Sequence, residues 1–260
     1  MRSRPDVMIP LAAALAAVVC GAHCGDPDTG RYRVRFTAAV RGSGADVSTS
    51  LGWAVHLDTA KMVVGALRWY EGPPLFGARL WRRLTAPSVA WAHPGHYVPG
   101  EALADMVTPR VVDLLAAGGS SVGAVDGVNG TPLSGHVVLQ GAGASLGESA
   151  AGFDGGTVLL EGSATKDGQT VRFVARPAIL NTVEGVPAHG VLDAAQRGWT
   201  VTVDLAHWVD RMDFSTLPMG ATADAPREVT LELQPGNALY RAVTSAGTYR
   251  FEMNDGDGGS

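Results

Sequence analysis

The stretch Val158-Leu159-Leu160-Glu161-Gly162-Ser163-Ala164-Thr165-Lys166-Asp167-Gly168-Gln169-Thr170-Val171-Arg172-Phe173-Val174 decides the fold class. Asp-Gly stands between two runs of strand-forming residues, and the second run alternates apolar Val171 and Phe173 with polar Thr170 and Arg172. A two-residue hairpin turn needs positive φ at both central positions, and Asp-Gly supplies it at low cost. The spacing therefore predicts a β-hairpin across 156–179.

The same pattern extends in both directions. Tyr32, Val34 and Phe36 alternate with Arg31, Arg33 and Arg35, as in a strand with one wet face. Leu51–Asp58 and Lys61–Tyr70 read as two more strands. The second is apolar on both faces and so central, and it stops at Gly72-Pro73-Pro74. Further strands are expected at Gly135–Gln140, Trp199–Asp204, Glu228–Leu233, Ala238–Thr244 and Thr248–Met253. Turn signals about ten residues apart suit a sandwich. Two short helices are expected: Pro109–Ala117, with proline at its start and Gly118-Gly119 past its end, and Leu205–Met212 capped by Asp204. The expectation is an all-β, mostly antiparallel β-sandwich with one or two short helices.

Composition narrows the function classes. The 260 residues include 34 glycines and 15 prolines, which argues for many short elements and against a helical bundle. A net charge of −5, with Trp81-Arg82-Arg83 the one basic cluster, removes the field that nucleic-acid binding requires. One domain is expected over 31–253, with a candidate internal boundary near 141–155, followed by an acidic tail at 254–260.

The first 24 residues have the form of an export signal. Arg2 and Arg4 precede an apolar run from Val7 to Val19, too short to span a bilayer. Both cysteines, Cys20 and Cys24, lie at its end, so the domain that follows holds no disulfide of its own. A cysteine after such a run resembles the lipid-attachment site of bacterial lipoproteins. The resemblance implies a diacylglyceryl anchor at Cys20 or Cys24 and a tether over 25–30. It places the chain in a bacterial cell envelope, on a membrane that faces the periplasm or the surface. Soluble secretion after cleavage near Ala22 is the alternative.

Six histidines follow the leader: His56, His93, His96, His136, His189 and His207. The densest cluster is Trp91-Ala92-His93-Pro94-Gly95-His96-Tyr97-Val98-Pro99-Gly100, a loop by its prolines and glycines. Two imidazoles three positions apart across a Pro-Gly turn can face one point, and imidazole suits copper or zinc. A third ligand has to come from His56, His136 or His189, and His56 joins Trp91, His93 and His96 in the expected metal set. In the competing reading these histidines bond to loop carbonyls over packed Trp91 and Tyr97. Trp91-Ala92-His93 is also similar to the Trp-x-His unit of exported copper-binding proteins of methane-oxidising bacteria. That resemblance implies a modifiable tryptophan at Trp91 and a copper ligand at His93.

Other chemistry has thinner support. Gly-x-Ser-x-Gly occurs at Gly119–Gly123 and Gly143–Gly147, a serine-esterase signature only on a strand-to-helix elbow. Trp53, Trp69, Trp81 and Trp199 lie in or near strands, where they serve a core or, if exposed, stack on sugars. The sequence thus supports a non-enzymatic, exported, lipid-anchored envelope protein that binds copper, or zinc, through a histidine loop. The alternative is a non-catalytic module that contacts glycan or another envelope protein.

Overall fold

The structure, a computed structural model, describes residues 30–74, 98–195, 197–219 and 225–254. Its thirteen strands are β1 (Arg33–Gly42), β2 (Asp46–Ser48), β3 (Ala54–Tyr70), β4 (Ala102–Met106), β5 (Arg110–Asp113), β6 (Ser120–Val128), β7 (Ser134–Leu139), β8 (Val158–Lys166), β9 (Gln169–Ala175), β10 (Asn181–His189), β11 (Trp199–Val203), β12 (Arg227–Val229) and β13 (Tyr249–Met253). Helix among the described residues amounts to α1 (Leu205–Val209), α2 (Gln234–Val243) and three 3₁₀ segments. The fold is all-β and most of its strand pairs are antiparallel; β1–β11, β10–β13 and β9–β12 are parallel.

Alternation along β1 turns Val34, Phe36, Ala38 and Val40 inward and Arg33, Arg35 and Thr37 outward. From there the hydrogen-bonded order runs β3-β4-β6-β1-β11-β13-β10-β7 and returns to β3, so eight strands close into a ring. Its core is aromatic. Trp69 meets Phe36, Phe251 and Trp199 edge to face, with ring centroids 5.2, 5.3 and 6.3 Å apart. This orientation sets the positive edge of one ring against the negative face of the next. Gly135 makes room for it, because a Cβ there would lie 2.7 Å from the Phe251 ring.

The two strands expected at 51–58 and 61–70 are one strand of 17 residues. A register shift between Leu57 and Thr59 absorbs the polar Asp58-Thr59 step that reads as a break. β3 carries β8 and then β7 along one edge, and β2, β5 and β4 along the other. Hence Met62, Val63 and Val64 are buried on both faces. The β8–β9 hairpin turns at Asp167 (φ 50°) and Gly168 (φ 77°), as the sequence requires.

Three sequence readings are corrected, the first at Glu228–Leu233, where strand stops at Val229 and residues 231–233 turn into the helix that follows. Residues 110–113 form β5 rather than a helix, because Val111 and Val112 find open backbone on β3 opposite Val63 and Met62. Gln234–Val243 is α2 rather than strand: Pro235 sits in its first turn, and Leu239, Ala242 and Val243 share its buried face. α1 forms where expected, with the Asp204 carboxylate accepting the His207 N–H at 3.1 Å. Leu205, Trp208 and Val209 of α1 are buried. Leu205 packs against Gly42, so the helices cover the ring at the end where β1 finishes. Strands β8 to β13 join a sheet with strands that precede 141–155.

Candidate functional site

At the opposite end of the ring β3 runs out at Tyr70, and the chain returns to the sheet at β4. The crossing point is a tight stem. The Gly72 N–H donates to the Pro99 carbonyl at 2.6 Å, the Glu71 N–H to Glu101 O at 3.1 Å, and the Ser134 hydroxyl to Gly72 O at 2.6 Å. Any side chain at Gly72 would collide with the Pro99 carbonyl. Arg31 ties the start of the domain to the stem, reaching Glu71 at 2.7 Å and Glu101 at 3.2 Å. The stem thus holds both ends of the segment that contains Trp91, His93 and His96. Those three residues, and Trp81, lie outside the described residues, as do Cys20 and Cys24.

His136 stands two positions along β7 from Ser134. It faces away from the ring, since its neighbours Gly135 and Val137 face the core, yet it is only 4% exposed. Its register partner is Arg68, and its ring lies against Tyr70 with centroids 4.3 Å apart. Burial lowers its pKa below the usual imidazole value. Glu184, beside the register shift where β10 pairs β7, opposes that lowering and Arg68 reinforces it. The neutral form that burial favours carries one ring nitrogen lone pair. At an ordinary strand rise, two positions place it about 7 Å along β7 from the hydroxyl that grips the stem. His189, at the end of β10, is exposed and reaches the same end of the sheet, one residue past the Ala188 N–H that donates to Leu133 O.

His56 lies near the far end of β3. Its Nδ1 is 2.6 Å from Asp46 Oδ1, and its Nε2 is 3.7 Å from Asp58 Oδ1. The hydrogen bond to Asp46 raises its pKa, helped by the charges of Asp46 and Asp58 and opposed by partial desolvation. Those carboxylates favour the cation. Fourteen steps of β3, on the order of 45 Å along its path, separate His56 from Tyr70. Among the described residues no three His, Cys, Asp or Glu side chains converge as a metal group.

The serine signatures divide. Gly119–Gly123 enters strand β6 rather than an elbow, and its central serine, Ser121, accepts the Gly123 N–H at 3.2 Å. Gly143–Gly147 runs into a 3₁₀ segment broken at Gly147. Trp53, Trp69 and Trp199 are core residues at 4%, 0% and 1% exposure, so none offers a sugar platform.

No family model matches the chain. No curated protein matches it either. Among solved structures, MbnP from Methylosinus trichosporium aligns over 81% of this chain and 88% of its own, at 13% identity and a TM-score of 0.39. That is a weak resemblance, and no ligand is inferred from it.

Sequence reasoning named His136 only as one of three possible third ligands and gave no role to Tyr70, Arg68 or Glu184. No local spacing links these four. They meet because β3, β7 and β10 are neighbours in the sheet. The available signal was a lone histidine inside the apolar run of β7, outward-facing and yet buried.

Proposed function

We propose that this protein is an exported envelope protein, lipid-anchored through Cys20 or Cys24, that binds copper through Trp91, His93 and His96 together with His136. The observation that carries this reading is the position of His136. It is a buried imidazole whose surroundings favour the neutral form, on the strand whose Ser134 holds Gly72 at the start of the segment bearing the other histidines. Imidazole nitrogens suit copper and zinc alike, and the Irving–Williams order favours copper for one donor set. The choice of His136 over His56 follows from position, since His56 lies at the far end of β3 from the stem. Tyr70, against the His136 ring, restricts its rotation and so reduces the entropy lost on ligation.

The test is metal analysis of the purified mature chain beside a His93→Ala/His96→Ala variant, after equal exposure to copper and zinc. About one equivalent of copper in the wild type and a trace in the variant supports the reading. Equal, substoichiometric metal in both leaves a non-catalytic envelope module as the better account. Labelled palmitate incorporated by the wild type, and lost when both cysteines become serine, tests the anchor.

A further inference from the structure

We infer a second binding site, unrelated to the metal reading, in the cleft between α1 and α2: a site for a compact oxyanion, either phosphate or a small dicarboxylate. The cleft has a volume of about 390 Å³, within the range of small-ligand pockets. Ala238 and Ala242, one turn apart on α2, are part of its lining, and their short side chains take up little of the space. Around them stand Arg211 and His207 from the α1 side, and Gln234, Asn237, Arg241 and Ser245 from α2 and its end.

The charge balance of this lining points to the ligand. Two guanidinium groups line the cleft and no carboxylate does, in a chain whose net charge is −5. Among carboxylates close by in sequence, Asp204 and Asp213 are engaged elsewhere, and Asp210 divides itself between Ser50 and the Nε edge of Arg211. Asp210 accepts the Ser50 N–H at 2.7 Å and its hydroxyl at 3.0 Å, Asp204 caps α1, and Asp213 accepts from Ser215. Arg211 uses Nε on Asp210 at 3.1 Å, which leaves its two terminal amino groups. Arg241 forms no ion pair among the described residues. It complements the last-turn carbonyls of α2 by charge, a role that occupies few of its five donors.

The walls are also held in place. Gln234 accepts the Asp213 N–H at 2.8 Å and donates to Arg211 O at 2.8 Å, clasping the turn after α1 to the start of α2. Side-chain donors of Asn237 and Ser245 flank Arg241 on the same lining. Guanidinium forks match carboxylate and phosphate oxygens in pairs, whereas chloride offers one point of charge.

The test is a heteronuclear NMR titration of the mature protein, following arginine Nε–H and backbone amides, with inorganic phosphate, malonate and chloride at matched ionic strength. Saturable shifts confined to 207–245 with phosphate or malonate and absent with chloride are expected, and the tighter of the two names the ligand class. Arg241→Gln and Arg211→Gln each weaken that binding at least tenfold, Arg33→Gln leaves it unchanged, and all three melt within about 2 °C of wild type. Non-saturating shifts, equal shifts with chloride, or undiminished affinity in both cleft variants would overturn the proposal. Metal binding is read separately, so failure here leaves the copper reading untouched.

Discussion

Replacing Trp69 by alanine removes the residue around which the ring closes. Trp69 is fully buried and touches Phe36, Trp199 and Phe251 edge to face. Burial and cavity terms for such a truncation come to about 3–5 kcal/mol, and loss of the edge-to-face pairs puts this site at the upper end. One contribution acts in the other direction: among the described residues the Trp69 indole N–H has no hydrogen-bond partner, and removing a buried orphan donor returns about 1 kcal/mol. The expected net loss is about 4 kcal/mol for Trp69→Ala. Trp69→Phe keeps an aromatic ring and discards the orphan donor, so it costs about 1–2 kcal/mol by the same reasoning. Urea unfolding of the mature chain, followed by circular dichroism, measures both. A Trp69→Ala variant within about 1 kcal/mol of wild type at unchanged denaturant slope would refute an interlocked aromatic core.

Gly135→Ala forces a methyl against the Phe251 ring and lowers the melting temperature by several degrees, while Gly247→Ala, with only the Ser245 hydroxyl 3.7 Å away, is close to neutral. Gly168→Val places a β-branched residue at φ 77° in the hairpin turn and costs about 1–2 kcal/mol in urea titrations. The Ser50 backbone N–H, together with the Ser50 hydroxyl and Arg211, holds the Asp210 pKa below its usual value against partial desolvation. Its stabilisation is therefore complete above the unfolded carboxylate pKa of about 3.9 and fades as pH falls through the lower folded value. Asp210→Asn should be about 1 kcal/mol less stable than wild type at pH 7, after allowance for solvent screening. The two stabilities should converge below about pH 4 in thermal melts.

Fold and site differ in how far they were legible. The β8–β9 hairpin, the β1 alternation and the Asp204 cap are local patterns, and each formed as its own residues dictate. Residues 110–113 were misleading because Pro109 and Gly118-Gly119 imitate helix ends, while the deciding contact, an unpaired stretch of β3, lies some fifty residues earlier. In α2 the helical signal was present in Pro235 and the Leu239-Ala242-Val243 spacing, but short apolar runs fit either period. For the candidate site, the clustered histidines are visible in the sequence. The role of His136 depends on Tyr70 and Glu184, far from it along the chain, and only the sheet order brings them together.

Copper affinity of the mature protein with glutamine at His136, beside glutamine at His56, measures the central claim most directly. Competition titration against a chromogenic chelator should show at least a tenfold loss for His136→Gln, the scale on which removed ligands and their supports act. His56→Gln should match wild type, and both variants should melt as cooperatively as the parent. Wild-type affinity in His136→Gln, or a loss confined to His56→Gln, would contradict the account and move the metal away from the stem.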